Sequence, residues 1–245
     1  MTALNILSGG AAQGLVASLA PKFKARTGLD IAGEFGAVGA MAGKLRDGTS
    51  ADLVVLTAAM IADLARQNLV ISASITDIGL VETAIAVRSG DALVSVHDAA
   101  ALRAALLAAD AIFVPDTTAS TAGIHVAKVL QQLGIACAVA AQLNMFPNGA
   151  TAMRHLAASD ARRPIGCTQS TEIISTSGVK LSGSLPPGCE LSTTYTAAVA
   201  SGAADPRHAK ELIDLLSAAD QDSLRQRAGF LSKTKRPEEA PWGES

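Results

Sequence analysis

The chain opens with Ala3-Leu4-Asn5-Ile6-Leu7 running straight into Ser8-Gly9-Gly10-Ala11-Ala12. It repeats the arrangement with Leu29-Asp30-Ile31-Ala32-Gly33-Glu34-Phe35 running into Gly36-Ala37-Val38-Gly39-Ala40. Each apolar run reads as a strand ending in a loop of tiny residues. Each loop opens a helix, Gly14–Thr27 ended by Gly28 and Ala40–Asp47 ended by Gly48. A third strand, Asp52–Leu56, and a helix, Ala58–Gln67, complete a βαβαβ unit. Such a unit implies parallel strands, helices on both faces and a ligand crevice at the strands' carboxyl ends, where both loops sit. Two helix N-termini with bare N–H groups then point the same way and form a seat for a small anion. Gly9, Gly10 and Gly36 allow close approach to the backbone, and Ser8 adds a hydroxyl donor. Both loops also fit ordinary strand-to-helix turns, in which small residues are common.

From Ile78 to Val87 a longer extended run follows, without a glycine-rich turn. A second unit begins after it: helix Asp98–Ala109, strand Ala111–Val114, the hydroxyl-rich loop Pro115-Asp116-Thr117-Thr118-Ala119-Ser120-Thr121, and helix Ala122–Leu133. Then come helix Gly149–Ser159, strand Pro164–Thr168, a turn-rich segment from Ser182 to Gly188, extended Ser192–Ala200, and one or two helices over Pro206–Arg227. Two α/β units joined by two extended crossings predict a two-lobed α/β clamshell, each lobe a mixed, mostly parallel sheet flanked by helices. Residues 1–80 form lobe I, 81–196 lobe II, 197–232 a return to lobe I, and 233–245 a polar, frayed tail.

Composition narrows the function. With 245 residues, 49% hydrophobic and 17% charged, the chain can bury a large core. A net charge of −2, one Trp and one Tyr leave neither a basic footprint nor stacking platforms, so nucleic acid is not an expected partner. No run approaches the roughly 20 apolar residues that span a bilayer, so membrane insertion is not expected. The first strand starts near residue 3, which leaves no room for an export signal and predicts a cytoplasmic protein, or a periplasmic one if a leader has been removed. Cys137, Cys167 and Cys189 have neither pairing nor metal-ligand spacing and read as small buried hydrophobes.

At this level the chain resembles the type II periplasmic binding proteins, and within them the molybdate-binding branch. The resemblance rests on the strand ending in Ser8, the loop Gly36–Ala40, Ala51-Asp52-Leu53-Val54-Val55-Leu56, and Pro115, Asp116, Ala122, Gly123 and Ile124. It extends to Ile165-Gly166-Cys167-Thr168-Gln169, Tyr195 in the hinge and Arg227-Ala228-Gly229-Phe230. It implies a clamshell closing on a small anion, with an ABC permease as partner if the protein is exported. The second loop departs from the molybdate pattern, because Gly36-Ala37-Val38-Gly39-Ala40 has no hydroxyl, whereas the third carries Thr117, Thr118, Ser120 and Thr121. That balance favours a longer organic acid over a tetrahedral oxyanion. The stretch Ile165 to Ile173 with Gly178 to Pro186 is similar to the aconitate isomerase subgroup of this fold. The resemblance implies cis/trans isomerisation of an unsaturated polycarboxylate by an allylic proton shift, with no metal or other cofactor required. Binding as a solute or oxyanion receptor is the alternative.

For such chemistry the catalytic candidates are Glu172, His125 and Tyr195, the tyrosine placed by the resemblance in contact with ligand and better suited to hydrogen bonding than to proton transfer, since an ordinary tyrosine titrates near ~10. Glu172 also fits a solvated first-turn acid, His125 a packed helix histidine, and Asp116 a simple turn. Substrate is expected to meet Ser8, Gly9, Gly10, Gly36, Val38, Thr118, Ser120, Thr121 and Gln169, with Arg154 as a carboxylate clamp. Arg88, Arg162 and Arg163 are further clamp candidates. Asn148, in Pro147-Asn148-Gly149, reads as a turn residue.

Overall fold

A computed structural model describes residues 3–231; the tail expected from residue 233 lies outside them. In chain order the elements are β1 (Ala3–Gly9), α1 (Gln13–Thr27), β2 (Asp30–Gly36), α2 (Val38–Arg46), β3 (Leu53–Thr57), α3 (Ala58–Arg66), β4 (Thr76–Arg88), α4 (Ala99–Ala108) and β5 (Ala111–Pro115). They continue with α5 (Thr121–Gln132), β6 (Leu143–Phe146), α6 (Gly149–Ala157), β7 (Pro164–Gln169), α7 (Ser170–Ser175), β8 (Val179–Ser184), β9 (Ser192–Val199), α8 (Pro206–Ser217) and α9 (Asp222–Arg227).

Among the described residues the strands run β2-β1-β3-β9-β4-β7-β5-β6, with β8 paired to β4 beside that path. β1 is parallel to β2 and β3, and its register sets Gly9 opposite Gly36, so the two small-residue loops lie side by side. The second unit, β7-β5-β6, is also parallel. β4 joins the two: its first half pairs with β9, its second with β7 and β8, all antiparallel. Side chains pack into one core around Leu4, Ile6, Leu15, Leu53 and Leu212, and into others around Ile112, Ile165 and Met153. The result is a two-lobed mixed α/β architecture. No described helix is long and apolar enough to cross a membrane.

The segment read as turn-rich from Ser182 begins instead inside strand β8, which pairs with the outer half of β4 across a register shift at Ile85/Ala86. The cysteines divide: Cys167 and Cys189 are buried, and burial pushes the Cys167 thiol up to about 12, but Cys137 is exposed.

Asp52 ties the chain's two ends together. Its buried carboxylate accepts from Asn5 N at 2.8 Å, Ala204 N at 2.9 Å and Asp205 N at 3.0 Å, joining β1 to the start of α8. Asp52→Ala leaves those N–H groups without their acceptor and is expected to lower unfolding stability by roughly 2–4 kcal/mol. A urea titration checks this, and a loss below about 0.5 kcal/mol would contradict it.

Candidate functional site: a cleft between helix N-termini

A small, partly open cavity lies where the loops of the two units meet. One wall is Gly10, Gly36, Ala37 and Val38; the opposite wall is Ser120, Thr121, Ala122 and Asn148; the floor is Gln169, Glu172 and Tyr195. The walls are close, since a Cβ added at Gly39 in the first turn of α2 would stand 3.5 Å from the Ala119 carbonyl oxygen. α2 and α5 both begin at this cavity, and neither Ala37 nor Ser120 caps its helix with a side chain. Helices α3, α4 and α8, which begin elsewhere, are capped by Thr57, Asp98 and Asp205. α1 and α9 also start without a side-chain cap, and α6 starts at the cavity capped by Asn148; what the cleft holds is the uncapped starts of α2 and α5 together, where the positive ends of two helix dipoles favour an anion.

Glu172 sits in the first turn of α7 and is only 6% exposed. Its Oε2 accepts from Thr168 Oγ1 at 2.6 Å. Space for the carboxyl exists because two neighbours are glycines. A Cβ at Gly149 would lie 1.9 Å from Oε2 and 2.1 Å from Thr168 Oγ1, and one at Gly10 would lie 2.6 Å from Oε1. Burial pushes the carboxyl above its ordinary range, opposed by the Thr168 hydroxyl and the N–H groups of Ala150, Gln169 and Gly149. Tyr195 is also buried, and its hydroxyl donates to Gln169 Oε1 at 2.7 Å, leaving the Gln169 amide N–H₂ as the donor for the cavity. Burial and then the Glu172 charge raise the Tyr195 hydroxyl, so it stays protonated.

The raised native carboxyl has a consequence for stability. An unfolded glutamate titrates near ~4.3, so above that pH the native state binds more protons than the unfolded chain. Stability from this group then falls as pH rises, levelling off above the native value. Glu172→Gln, which keeps the shape and removes the charge, is expected to raise the melting temperature more at pH 8 than at pH 4. Equal shifts at both pH values would contradict the burial argument.

Of the residues expected at the site, Gly10, Gly36, Val38, Ser120, Thr121, Gln169, Glu172 and Tyr195 are brought together around the cavity. The others are not. Ser8 is fully buried beneath it, its hydroxyl donating to the Gly9 carbonyl, and Gly9 is covered by Val38 and Tyr195. Thr118 is exposed and donates to Asp116, whose carboxylate is held low by that hydroxyl and by the Thr118 and Ala119 N–H groups; Asp116 is the turn residue.

The two longer side chains also point elsewhere. His125 Nε2 bonds the Cys189 carbonyl at 2.8 Å, fastening α5 to the segment before β9. Arg154 points out of α6 because Ala152, Met153 and Leu156 take its buried face, and its guanidinium reaches only Thr151. Arg88 is engaged by Asp91 and the Ser159 carbonyl, and Arg162 and Arg163 line a different groove. Among the described residues lining the cleft, none is Lys, Arg or His. Asn148, read as a turn, caps α6 through Thr151 N at 2.8 Å and also lines the cavity. An Asn directly before a helix start is a cap signature. Ala37 and Ala122 gave no such signal, because they contribute backbone. No described cluster of three or more His, Cys, Asp or Glu could hold a metal ion.

The family model described as bacterial extracellular solute-binding protein matches residues 4–231. The chain belongs to that family. The chain is 25% identical to aconitate isomerase from a Pseudomonas species, over 97% of its own length and 90% of that protein's. Its fold is shared with the periplasmic molybdate-binding protein of Azotobacter vinelandii, with a TM-score of 0.78 at 16% identity over 94% and 99% of the two chains. The sulfate-binding protein of Mycobacterium tuberculosis gives a TM-score of 0.72 at 18% identity over 94% and 86%. The clamshell architecture expected from the repeated strand–loop–helix units is that of these structures.

Proposed function

We propose that this member of the family takes a small unsaturated carboxylate into the cleft and isomerises it by an allylic proton shift in which Glu172 carries the proton. The observation behind the reading is Glu172 itself, a buried carboxyl in the floor of a cavity otherwise lined by neutral groups. A receptor that only holds an anion gains nothing from a carboxyl facing it. Moving a double bond, by contrast, needs a base that removes a proton α to a carboxylate and an acid that returns one elsewhere. Burial moves Glu172 toward the range where one group can serve both steps. The dienolate charge that develops would be met by the N–H groups opening α2 and α5 and by the Ser120 and Thr121 hydroxyls. The likeness to aconitate isomerase supports the same chemistry.

One observation favours a second reading, a receptor for a small oxyanion. The lining holds no cation, which suits an anion of low charge bound by neutral donors better than a fully ionised tricarboxylate. A receptor would need export and an ABC permease, whereas an isomerase can act in the cytoplasm.

Incubation with trans-aconitate in deuterated water, followed by proton NMR, tests the choice. The isomerase reading expects cis-aconitate to appear. If neither aconitate isomer is converted while sulfate or molybdate binds, the receptor reading replaces it.

A further inference from the structure

The charge balance of the cleft has a consequence for whichever anion it takes. An anion seated at the α2 and α5 N-termini shares the cavity with the Glu172 carboxyl. Among the described residues, the elements packed against α7 bring no cation to offset the pair: behind Gly229, which meets α7, Arg225 is held by Asp222 and the Leu216 and Ala218 carbonyls and Arg227 is exposed. From α6 the cavity receives Asn148, while Arg154 and His155 are exposed on its outer face. β7 presents Gln169, and β9 presents Tyr195, which remains neutral. On β4, Arg88 is held by Asp91 and Glu82 accepts from Ser184; on β8, Lys180 is exposed. On α1, Lys22 pairs with Asp220, Lys24 pairs with Asp30, and Arg26 is exposed. Like charges close together in a low-dielectric site cannot both persist, and the proton equilibrium of the weaker acid gives way.

We propose that anion binding in this cleft is proton-coupled: one proton is taken up per anion bound and resides on Glu172, whose Oε1 then donates toward the ligand. The geometry suits this division of labour. Oε2 already accepts from Thr168 and lies against the start of α6, while Oε1 stands beside Gly10, a residue of the cavity wall. Protonation turns the one acidic group of the lining into a donor and completes a ring of neutral donors around the anion. The site therefore favours anions that carry an acceptor oxygen able to meet a carboxylic acid. The inference rests on reading the cleft as the anion site and does not require that the anion be turned over; where it is turned over, proton removal runs through the minor fraction of complexes in which Glu172 is ionised, so turnover rises with pH as affinity falls.

Isothermal titration calorimetry tests it, with trans-aconitate and sulfate as probes, both fully ionised at pH 7 to 8, in buffers of different ionisation enthalpy. The wild-type protein is expected to take up about one proton per anion, with affinity falling about tenfold per pH unit on the alkaline side. Glu172→Gln is expected to bind with no proton uptake and with affinity independent of pH. Tyr195→Phe, which removes the other titratable group of the lining, is expected to keep the uptake at one. Wild-type binding with no proton uptake and a flat pH dependence would overturn the proposal, as would full uptake in Glu172→Gln. Proton uptake without aconitate conversion would leave it standing and remove the isomerase reading alone.

Discussion

Glu172→Gln is expected to cut conversion of trans-aconitate by roughly 10²–10⁴-fold while leaving the fold intact, because general acid–base groups act mainly in the transition state. Glutamine preserves the volume between Gly10 and Gly149 and can still accept from Thr168, so packing is retained. What is lost is the ability to remove and return a proton. The check is a turnover assay paired with a binding measurement: the rate collapses, and affinity at pH 8 holds or improves because the buried charge is gone. A variant that turns over at the wild-type rate would take the proton-carrier role away from Glu172.

The second large effect is expected from a single methyl group. Gly149→Ala puts a Cβ 1.9 Å from Glu172 Oε2 and 2.1 Å from Thr168 Oγ1, far inside contact distance. The backbone is not the obstacle, since Gly149 is not among the glycines with positive φ. Relief requires the carboxyl to leave its seat against α6, which breaks the Thr168 bond and misplaces the proton carrier. Turnover is expected to fall at least about 100-fold, in line with the sensitivity of catalysis to ~1 Å displacements. Overpacking is expected to cost a further ~1–3 kcal/mol of stability. Circular dichroism and a urea titration separate the two losses. Wild-type turnover in a folded Gly149→Ala variant would contradict the placement of Glu172.

Much of this architecture was legible in the residues. β3 is five consecutive buried side chains, and the small-residue loops after β1 and β2 mark strand exits that parallel pairing then sets side by side. The elements missed by periodicity are the short and irregular ones. β6 is a four-residue edge strand of mixed exposure, α7 has six residues, and β8 contains Ser182, Gly183 and Ser184, which look like a turn but pair with β4. The site was legible where a residue stood at a strand exit, as Gln169 ends β7 and Glu172 follows it. It was not legible where the decision lay in a side chain's direction. Ser8 turns onto its neighbour's carbonyl, His125 is taken by Cys189, and Arg154 is carried outward by the buried face of α6. That last outcome was available from the helical spacing of Ala152, Met153 and Leu156.

The most direct test is a crystal structure of Glu172→Gln grown with trans-aconitate. One carboxylate of the ligand is expected at the N–H groups opening α2 and α5, within hydrogen-bond distance of Ser120 or Thr121, with the reacting carbons facing residue 172. Ligand density in the groove lined by Leu93, Arg162 and Arg163, with the cleft between α2 and α5 holding only water, would contradict it.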